Sequence, residues 1–301
     1  MAGVFTSVNT SFAQATNKDI LGRWDIVMEK DGEMLPSWLE VQKSGFETLV
    51  GRFVYAFGSA RPISEIKYNG ESYQFAIPRQ WEASGQDMKF IFEVFGDMLK
   101  GSMVYTDGKQ YFWTAVRQPK LEQVKNPEWG VAQDLFVGKT LDAWNVAEGS
   151  KWNITGDVLT NSASGSNLVT KEKYTDFKLH IECRIPKNGN SGIYLRGRHE
   201  VQVSDDYGKE PGPTLFGAIY GFITPNEMVA KPAGEWQTYD ITLLGNRVTV
   251  VANGNAIIVD QVIPGITGGA LDAHEGKPGP LMLQGDHGPI EYRNIILVPR
   301  I

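Results

Sequence analysis

The sequence predicts an all-β chain built as a small up-and-down barrel followed by a two-sheet sandwich. Three observations predict it. Thirty-three glycines and 15 prolines accompany 14 Phe, 11 Tyr and 8 Trp in 301 residues, a composition in which turns punctuate many short strands. Apolar and polar residues alternate with a period of two through much of the chain, the pattern of strands with one buried face. Asn-Gly and Asp-Gly pairs stand between the alternating runs, the strongest short-range hairpin signal a sequence carries.

Taken in order, residues 1–19 end a small-x-small pattern at Ala13, Gln14 and Ala15 without a long apolar run before it. That reads as the remnant of an export signal and predicts a periplasmic or secreted protein. Residues 20–118 run as a meander: GRWDIVMEKDG, SWLEVQ, GRFVYAFG, ISEIKYNGESYQFAI, MKFIFEVFGD and KGSMVYTDGKQYFWTAVR. This stretch holds 17 of the 33 aromatic residues, so its interior is either filled with rings or partly open as a ligand cup. It is expected to pack on the sandwich and narrow a cleft there. Residues 119–133 are polar, contain Pro127 and Gly130, and read as a linker.

Residues 134–301 form the second unit. Its clearest strand is Phe177 to Ile185, where five apolar residues alternate with Lys178, His180, Glu182 and Arg184. Later runs, YDITLL, NRVTVVA and AIIVDQV, are joined by Leu244-Gly-Asn-Arg and Ala252-Asn-Gly-Asn turns, and IEYRNIILV alternates again. No sustained helical period appears in this half. Antiparallel sheets that bury one face need a second layer, hence a sandwich.

Composition excludes several classes. With 42% apolar and 21% charged residues the chain is expected to be soluble and globular, and no run approaches the roughly 18 to 20 apolar residues of a membrane-spanning helix. The formal charge is −6, and no basic stripe is present to neutralise phosphates, so nucleic acid is not an expected partner. Residues 1–125 carry 14 basic and 15 acidic side chains and residues 126–301 carry 15 and 20, which places the acidic excess in the second unit. One cysteine, Cys183, rules out an internal disulfide and sits among alternating apolar residues as expected core. HExxH, Walker, GxSxG and GxGxxG signatures are all absent, leaving nucleotide chemistry and serine hydrolysis unsupported.

The densest polar run is NSGIYLRGRHEVQVSDDYG, residues 190–208. If one strand runs through it, Tyr194, Arg196, Arg198, Glu200 and Gln202 share a face while Val201 and Val203 enter the core, with Gly197 a potential bulge. Two readings fit: a solvated face of alternating charge, or a sugar site in which two arginines flank a carboxylate and an amide. A second cluster, LMLQGDHGPIEYRNI, supplies Gln284, Asp286, His287 and Arg293 around a tight turn, where His287 is either a turn-stabilising residue or a functional one. A third, GAIYGF with KPAGEWQTYDI, adds Tyr220, Lys231, Glu235 and Trp236, of which Trp236 is expected in the core and Glu235 exposed. A divalent metal drawn from His199, Glu200, Asp205 and His287 suits the ligand chemistry, although no spacing among them is diagnostic.

In this order GKTLDAWNV, NSGIYLRGRHEVQVSD, GAIYG, KPAGEWQTYDI and LQGDHGPIEYRNI resemble the 3-keto-disaccharide hydrolase domain family over about residues 134–301. The resemblance implies a concanavalin-like jelly-roll sandwich, export in bacteria, and cleavage of glycosides oxidised to a ketone at carbon 3. The N-terminal barrel lies outside it and is lipocalin-like by pattern alone. A carbon-3 ketone acidifies the hydrogen on carbon 2, so one base can remove it and expel the group on carbon 1 before water adds back. Such a route needs a base, donors to the enolate and an acid near the leaving group. Under it Glu200 is the base, Arg196 with Gln202 or Gln284 the donors, and His287 the acid. Arg198 and Asp205 add sugar contacts, the resemblance places Tyr220, Lys231 and Arg293 on sugar hydroxyls, and a divalent cation could polarise the ketone. The partner is then a carbohydrate or glycoside, with a homo-oligomer among the expected assemblies. Two alternatives stand beside this: a non-catalytic carbohydrate-binding protein, and a two-carboxylate glycosidase pairing Glu200 with Asp286 or Glu235.

Overall fold

A computed structural model describes residues 20–83, 85–121, 123–137 and 140–301, so the export-signal reading of residues 1–19 lies outside the described residues. The described chain is all-β. Strands β1 (Gly22–Lys30), β2 (Glu33–Ser44), β3 (Thr48–Val54), β4 (Arg61–Tyr68), β5 (Tyr73–Ile77), β6 (Met88–Phe95), β7 (Met98–Val104) and β8 (Gln110–Arg117) pair in chain order, and β8 returns to β1 to close a barrel. Closure removes both sheet edges. Of the two interiors open to the sequence, the ring-filled one is found: Trp24, Phe53, Phe75, Phe90, Phe92 and Trp113 are buried together, with Phe75 stacked on Phe90 at 4.5 Å.

The second unit stacks two sheets. One has the order β10 (Trp144–Asn145), β13 (Leu168–Thr170), β20 (Met282–Leu283), β15 (Asn190–Leu195) and β16 (His199–Ser204). The other runs β11 (Trp152–Thr155), β12 (Val158–Asn161), β21 (Ile290–Pro299), β14 (Phe177–Arg184), β17 (Trp236–Leu244), β18 (Arg247–Ala252) and β19 (Asn255–Val262), with β9 (Gln133–Asp134) paired to β21. Ile193, Val201 and Val203 from the first sheet meet Leu179, Ile181 and Val250 from the second in one core. Truncating such a residue to alanine costs about 2–5 kcal/mol, so these strands hold their register firmly. Asn253 and Gly254 both take positive φ in the turn between β18 and β19, as an Asn-Gly hairpin requires.

Residues 190–204 correct one expectation. They form a hairpin and not a single strand, with Tyr194 opposite Glu200 and Gly192 opposite Gln202. Arg196 at φ 53° and Gly197 at φ 66° make the reversal, so Gly197 turns the chain where a bulge was expected. Two successive left-handed residues match the right-handed twist of the flanking strands. The consequence is that Arg196 and Arg198 sit in the turn, off the face that carries Tyr194, Glu200 and Gln202. Trp236 is a second correction: it lies half-buried on the outer sheet under the guanidiniums of Arg184 and Arg293, at 4.8 and 3.9 Å from its ring.

The barrel docks on the face of the shorter sheet. Trp38 and Val54 pack with Ile266, Ala270 and Ala273 from the long β19–β20 connection. Backbones meet closely there, since a Cβ on Gly268 would fall 2.2 Å from the Gly58 carbonyl oxygen and one on Gly265 would fall 2.2 Å from Trp38 Nε1. The amide of Gly269 also donates to the Ala56 carbonyl at 2.8 Å. Among the described residues, no helix is long and apolar enough to cross a membrane.

Candidate active site

Alternation along β15 and β16 decides which side chains leave the core. Ile193, Val201 and Val203 face inward, so Tyr194, Glu200 and Gln202 project from the opposite face, toward the barrel. There they line a cavity of about 450 Å³ with Asn190, Gln284, Asp286, His287 and Tyr220. Phe57, Gly58 and Trp81 of the barrel and the Gly268-Gly269 pair complete its wall. Ligand sites typically have this size and a few convergent polar groups. Two other hollows, one beside Arg184 and Glu291 and one on the barrel beside Lys100 and Phe112, gather no buried acid.

Glu200 is the centre of the cavity's chemistry. Its carboxyl is buried, and burial pushes its pKa up to about 8, against the hydrogen bond from Tyr194 and the charge of His287. The Tyr194 hydroxyl lies 2.9 Å from Glu200 Oε2 and 2.9 Å from the Gly268 carbonyl. The Glu200 amide donates to Thr267 Oγ1 at 3.0 Å, which ties β16 to the connection that carries Gly268. Gly192 supplies the room: a Cβ there would fall 2.4 Å from Glu200 Oε1.

The remaining polar groups face the same space. Gln202 Nε2 donates to Asn190 Oδ1 at 2.6 Å, fixing both amides across the hairpin. Gln284 follows β20, is buried, and leaves Oε1 without a partner, an acceptor whose isolation costs about 1–3 kcal/mol unless a ligand or water meets it. Burial, with the nearby charge of Glu200, raises the Tyr220 phenol above its usual pKa, so its O–H is kept and available to donate. His287 Nδ1 lies 2.6 Å from Asp286 Oδ1, and that bond, with the nearby charge of Glu200, raises the imidazole pKa above its usual value. Ser164 Oγ donates to the Asp286 carbonyl and braces the turn.

Of the sequence candidates, Glu200, Gln202, Tyr220, Gln284 and His287 therefore meet in one cavity, and Asp286 joins them. The others do not. Arg196 turns away and donates to the Gly245 carbonyl at 2.7 Å, while Arg198 is held by Asp272 at 2.6 Å and the Lys277 carbonyl at 2.7 Å. Lys231 Nζ donates to the Trp236 carbonyl at 2.9 Å, Arg293 binds Glu182 at 2.8 Å, and Asp205 accepts the Asn188 amide at 2.8 Å. Each of these is occupied by a structural partner away from the cavity lining.

The four metal candidates also separate. His199 lies on the other face of β16, with Nδ1 3.2 Å from the Gly265 carbonyl and Nε2 3.6 Å from Glu275, while Glu200 and His287 face the cavity. Among the described residues no group of three or more His, Cys, Asp or Glu is arranged to hold a metal ion. Glu235 is exposed and off the cavity lining, so it cannot pair with Glu200 as a second carboxylate. Reading the chain alone missed Tyr194 as the carboxyl's partner, Asn190 as Gln202's, and the barrel residues Phe57 and Trp81.

Residues 131–298 match the family described as 3-keto-alpha-glucoside-1,2-lyase-like domain. A 3-keto-disaccharide hydrolase from Bacteroides thetaiotaomicron is 22% identical over 164 residues, covering 41% of this chain. The chain spans only 56% of that relative's length. A crystal structure of a candidate glycosyl hydrolase from Parabacteroides distasonis is 32% identical with a TM-score of 0.48, covering 55% of this chain and 82% of that one. Another from the same organism is 25% identical with a TM-score of 0.45, covering 56% of this chain and 98% of that one. The barrel, Gly22–Arg117, precedes the matched segment.

Proposed function

The chain belongs over residues 131–298 to the 3-keto-alpha-glucoside-1,2-lyase-like family, and from that membership we propose that it cleaves glycosides bearing a ketone at carbon 3 of the sugar. The second unit is read as a concanavalin-like jelly roll carrying the site on one sheet. A single observation carries the reading: Glu200, a buried carboxyl whose pKa is pushed up to about 8, stands among neutral amides and phenols in a cavity of sugar size. Burial makes its carboxylate a stronger base than an exposed one, which suits removal of a carbon-bound proton next to a ketone.

The steps balance without a covalent intermediate. Glu200 takes the proton from carbon 2, and the electron pair moves onto the ketone oxygen as an enolate. Tyr220 O–H and the amide hydrogens of Gln202 or Gln284 are the donors within the cavity for that oxygen, replacing the role expected of Arg196. The enolate then collapses, the bond from carbon 1 to the glycosidic oxygen breaks, and protonated His287 gives its proton to the leaving oxygen. Water then adds to the resulting enone: its hydroxyl goes to carbon 1 and its other proton to His287, while Glu200 returns its proton to carbon 2, which gives the 3-keto sugar and resets both residues.

A two-carboxylate glycosidase is the second reading, favoured by Asp286 lining the same cavity. The test compares product release from a glucoside and its 3-keto form by wild type and Glu200→Gln. Turnover of the keto form alone, lost in the variant by about 10²–10⁴-fold, supports the proposal. Cleavage of the unoxidised glucoside moves the assignment to the glycosidase, and binding without turnover of either moves it to a carbohydrate-binding protein.

A further inference from the structure

The cavity has two chemically different ends. Its polar end is built by the sandwich, where Glu200 is 4% exposed. Its rim is built by the barrel, where Trp81 is 67% and Phe57 41% exposed although both are large aromatic side chains. Isolated surface aromatics need no explanation, but two that converge on one cavity do.

These rings are held, not trailing. Trp81 sits in the β5–β6 connection between two anchored residues. Gln80 bonds to Ser59 of the β3–β4 connection through its Oε1 at 3.0 Å and its Nε2 at 2.6 Å. Glu82 pairs with Arg61 at 3.0 Å and accepts the Gln80 amide at 2.6 Å, and Arg61 also donates to the Pro78 carbonyl at 3.0 Å. The two connections are thus cross-linked, and Phe57 packs edge-on against Tyr55 at 5.1 Å. Close backbone approach then fixes this braced pair against the sandwich. A Cβ on Gly221 would fall 2.8 Å from the Ala60 nitrogen and the Ser59 Cβ, just as one on Gly268 would strike Gly58.

We propose that Trp81 and Phe57 form a leaving-group subsite that accepts an apolar ring face, so that the barrel, which lies outside the family segment, selects the aglycone. This rests on the reading of Glu200 as the group that acts on the sugar. With the sugar's hydroxyls and ketone satisfied at the amide and phenol end, the substituent on carbon 1 is directed to the rim. Ring faces stack on indole and phenyl surfaces whether they belong to an aromatic aglycone or to the C–H face of a second pyranose.

The test uses the full chain and three substrates with one sugar: methyl and phenyl 3-keto-glucosides and a 3-keto-disaccharide. Trp81→Ala is expected to lower kcat/KM on a ring-bearing substrate about tenfold more than on the methyl one, mainly through KM. Trp81→Phe, which keeps a ring, should recover most of that selectivity, and Phe57→Ala should act in the same direction as Trp81→Ala. A larger loss on the phenyl substrate identifies an aromatic aglycone, and a larger loss on the disaccharide identifies a second sugar. Equal losses on all three substrates overturn the proposal. If wild type turns over none of them, the reading of Glu200 fails separately. Calorimetric titration with phenyl and methyl glucosides then decides the subsite, which is overturned if Trp81→Ala weakens both equally or neither.

Discussion

The Tyr194 hydroxyl lies within 2.9 Å of both Glu200 Oε2 and the Gly268 carbonyl, yet it has one proton to give. When Glu200 is protonated, its O–H can donate to the phenol and the phenol to Gly268, and every group is satisfied. When Glu200 is ionised, the phenol must turn to it and the buried Gly268 carbonyl loses its donor. Ionisation therefore costs a hydrogen bond elsewhere, in the same direction as the burial that already raises this carboxyl. The phenol still favours the carboxylate locally. Tyr194→Phe should push the Glu200 pKa higher, lowering kcat/KM at pH 7 by about tenfold and restoring it as pH rises. A pH–rate profile checks this, and a uniform loss at every pH would assign Tyr194 a merely structural role.

Gly192 makes a separate prediction. It faces Gln202 in the hairpin register, and an added methyl would fall within 2.4–2.9 Å of Glu200 Oε1, Cγ and Cδ. The far end of a side chain can move where a backbone cannot. Gly192→Ala should therefore fold with a small change in thermal midpoint but displace the carboxyl, lowering kcat by about 10²-fold. Circular dichroism melts with single-turnover rates test it, and unchanged turnover would show that Glu200 does not need its present position.

His287 governs the other limb of the pH profile. Its bond to Asp286 is the largest cause of its raised pKa, so Asp286→Asn should lower it. If His287 acts as the acid, the rate falls as it deprotonates, and the falling limb should move to lower pH in the variant. The expected loss is about threefold to tenfold at pH 8, smaller at pH 6.5, and largest for substrates with poor leaving groups. A limb that stays in place assigns the proton to another donor.

The barrel and the sandwich strands were legible because period-two alternation and Asn-Gly or Asp-Gly turns are local signals, as at Gly108 and Gly254. Glu200, Gln202, Gln284 and His287 were legible as polar residues on strand or turn text that needs none. Arg196 and Arg198 misled for a local reason: a Gly inside an alternating run reads equally as bulge or turn, and only the pairing of Leu195 with His199 decides it. Trp81 and Phe57 carried no signal, since their meeting with Glu200 depends on the docking of two units. Arg293 and Lys231 belong to the same class, because their partners Glu182 and Trp236 are set by sheet register and loop packing.

The seam between the units makes the last prediction. Asp25 of β1 is buried there and has its pKa pushed up to about 8, chiefly by burial and next by the Glu275 charge. Glu275 is itself buried and raised by burial, opposed by Arg196 and Arg198. Two acids on opposite sides of one interface cannot both ionise there cheaply. For an acid whose folded pKa lies above its unfolded value of 3.8, the stabilisation is complete below pH 4 and is lost as pH rises toward 8. Wild type should thus lose thermal stability across that window, with the barrel's docking as the weakened element. Asp25→Asn keeps the size of the side chain and removes the ionisation. It should melt about 4 °C or more above wild type at pH 8.5 and close to it at pH 4. Calorimetry across pH measures the difference, and a gain that is equal at both pH values would place the effect in packing, not in the proton on Asp25.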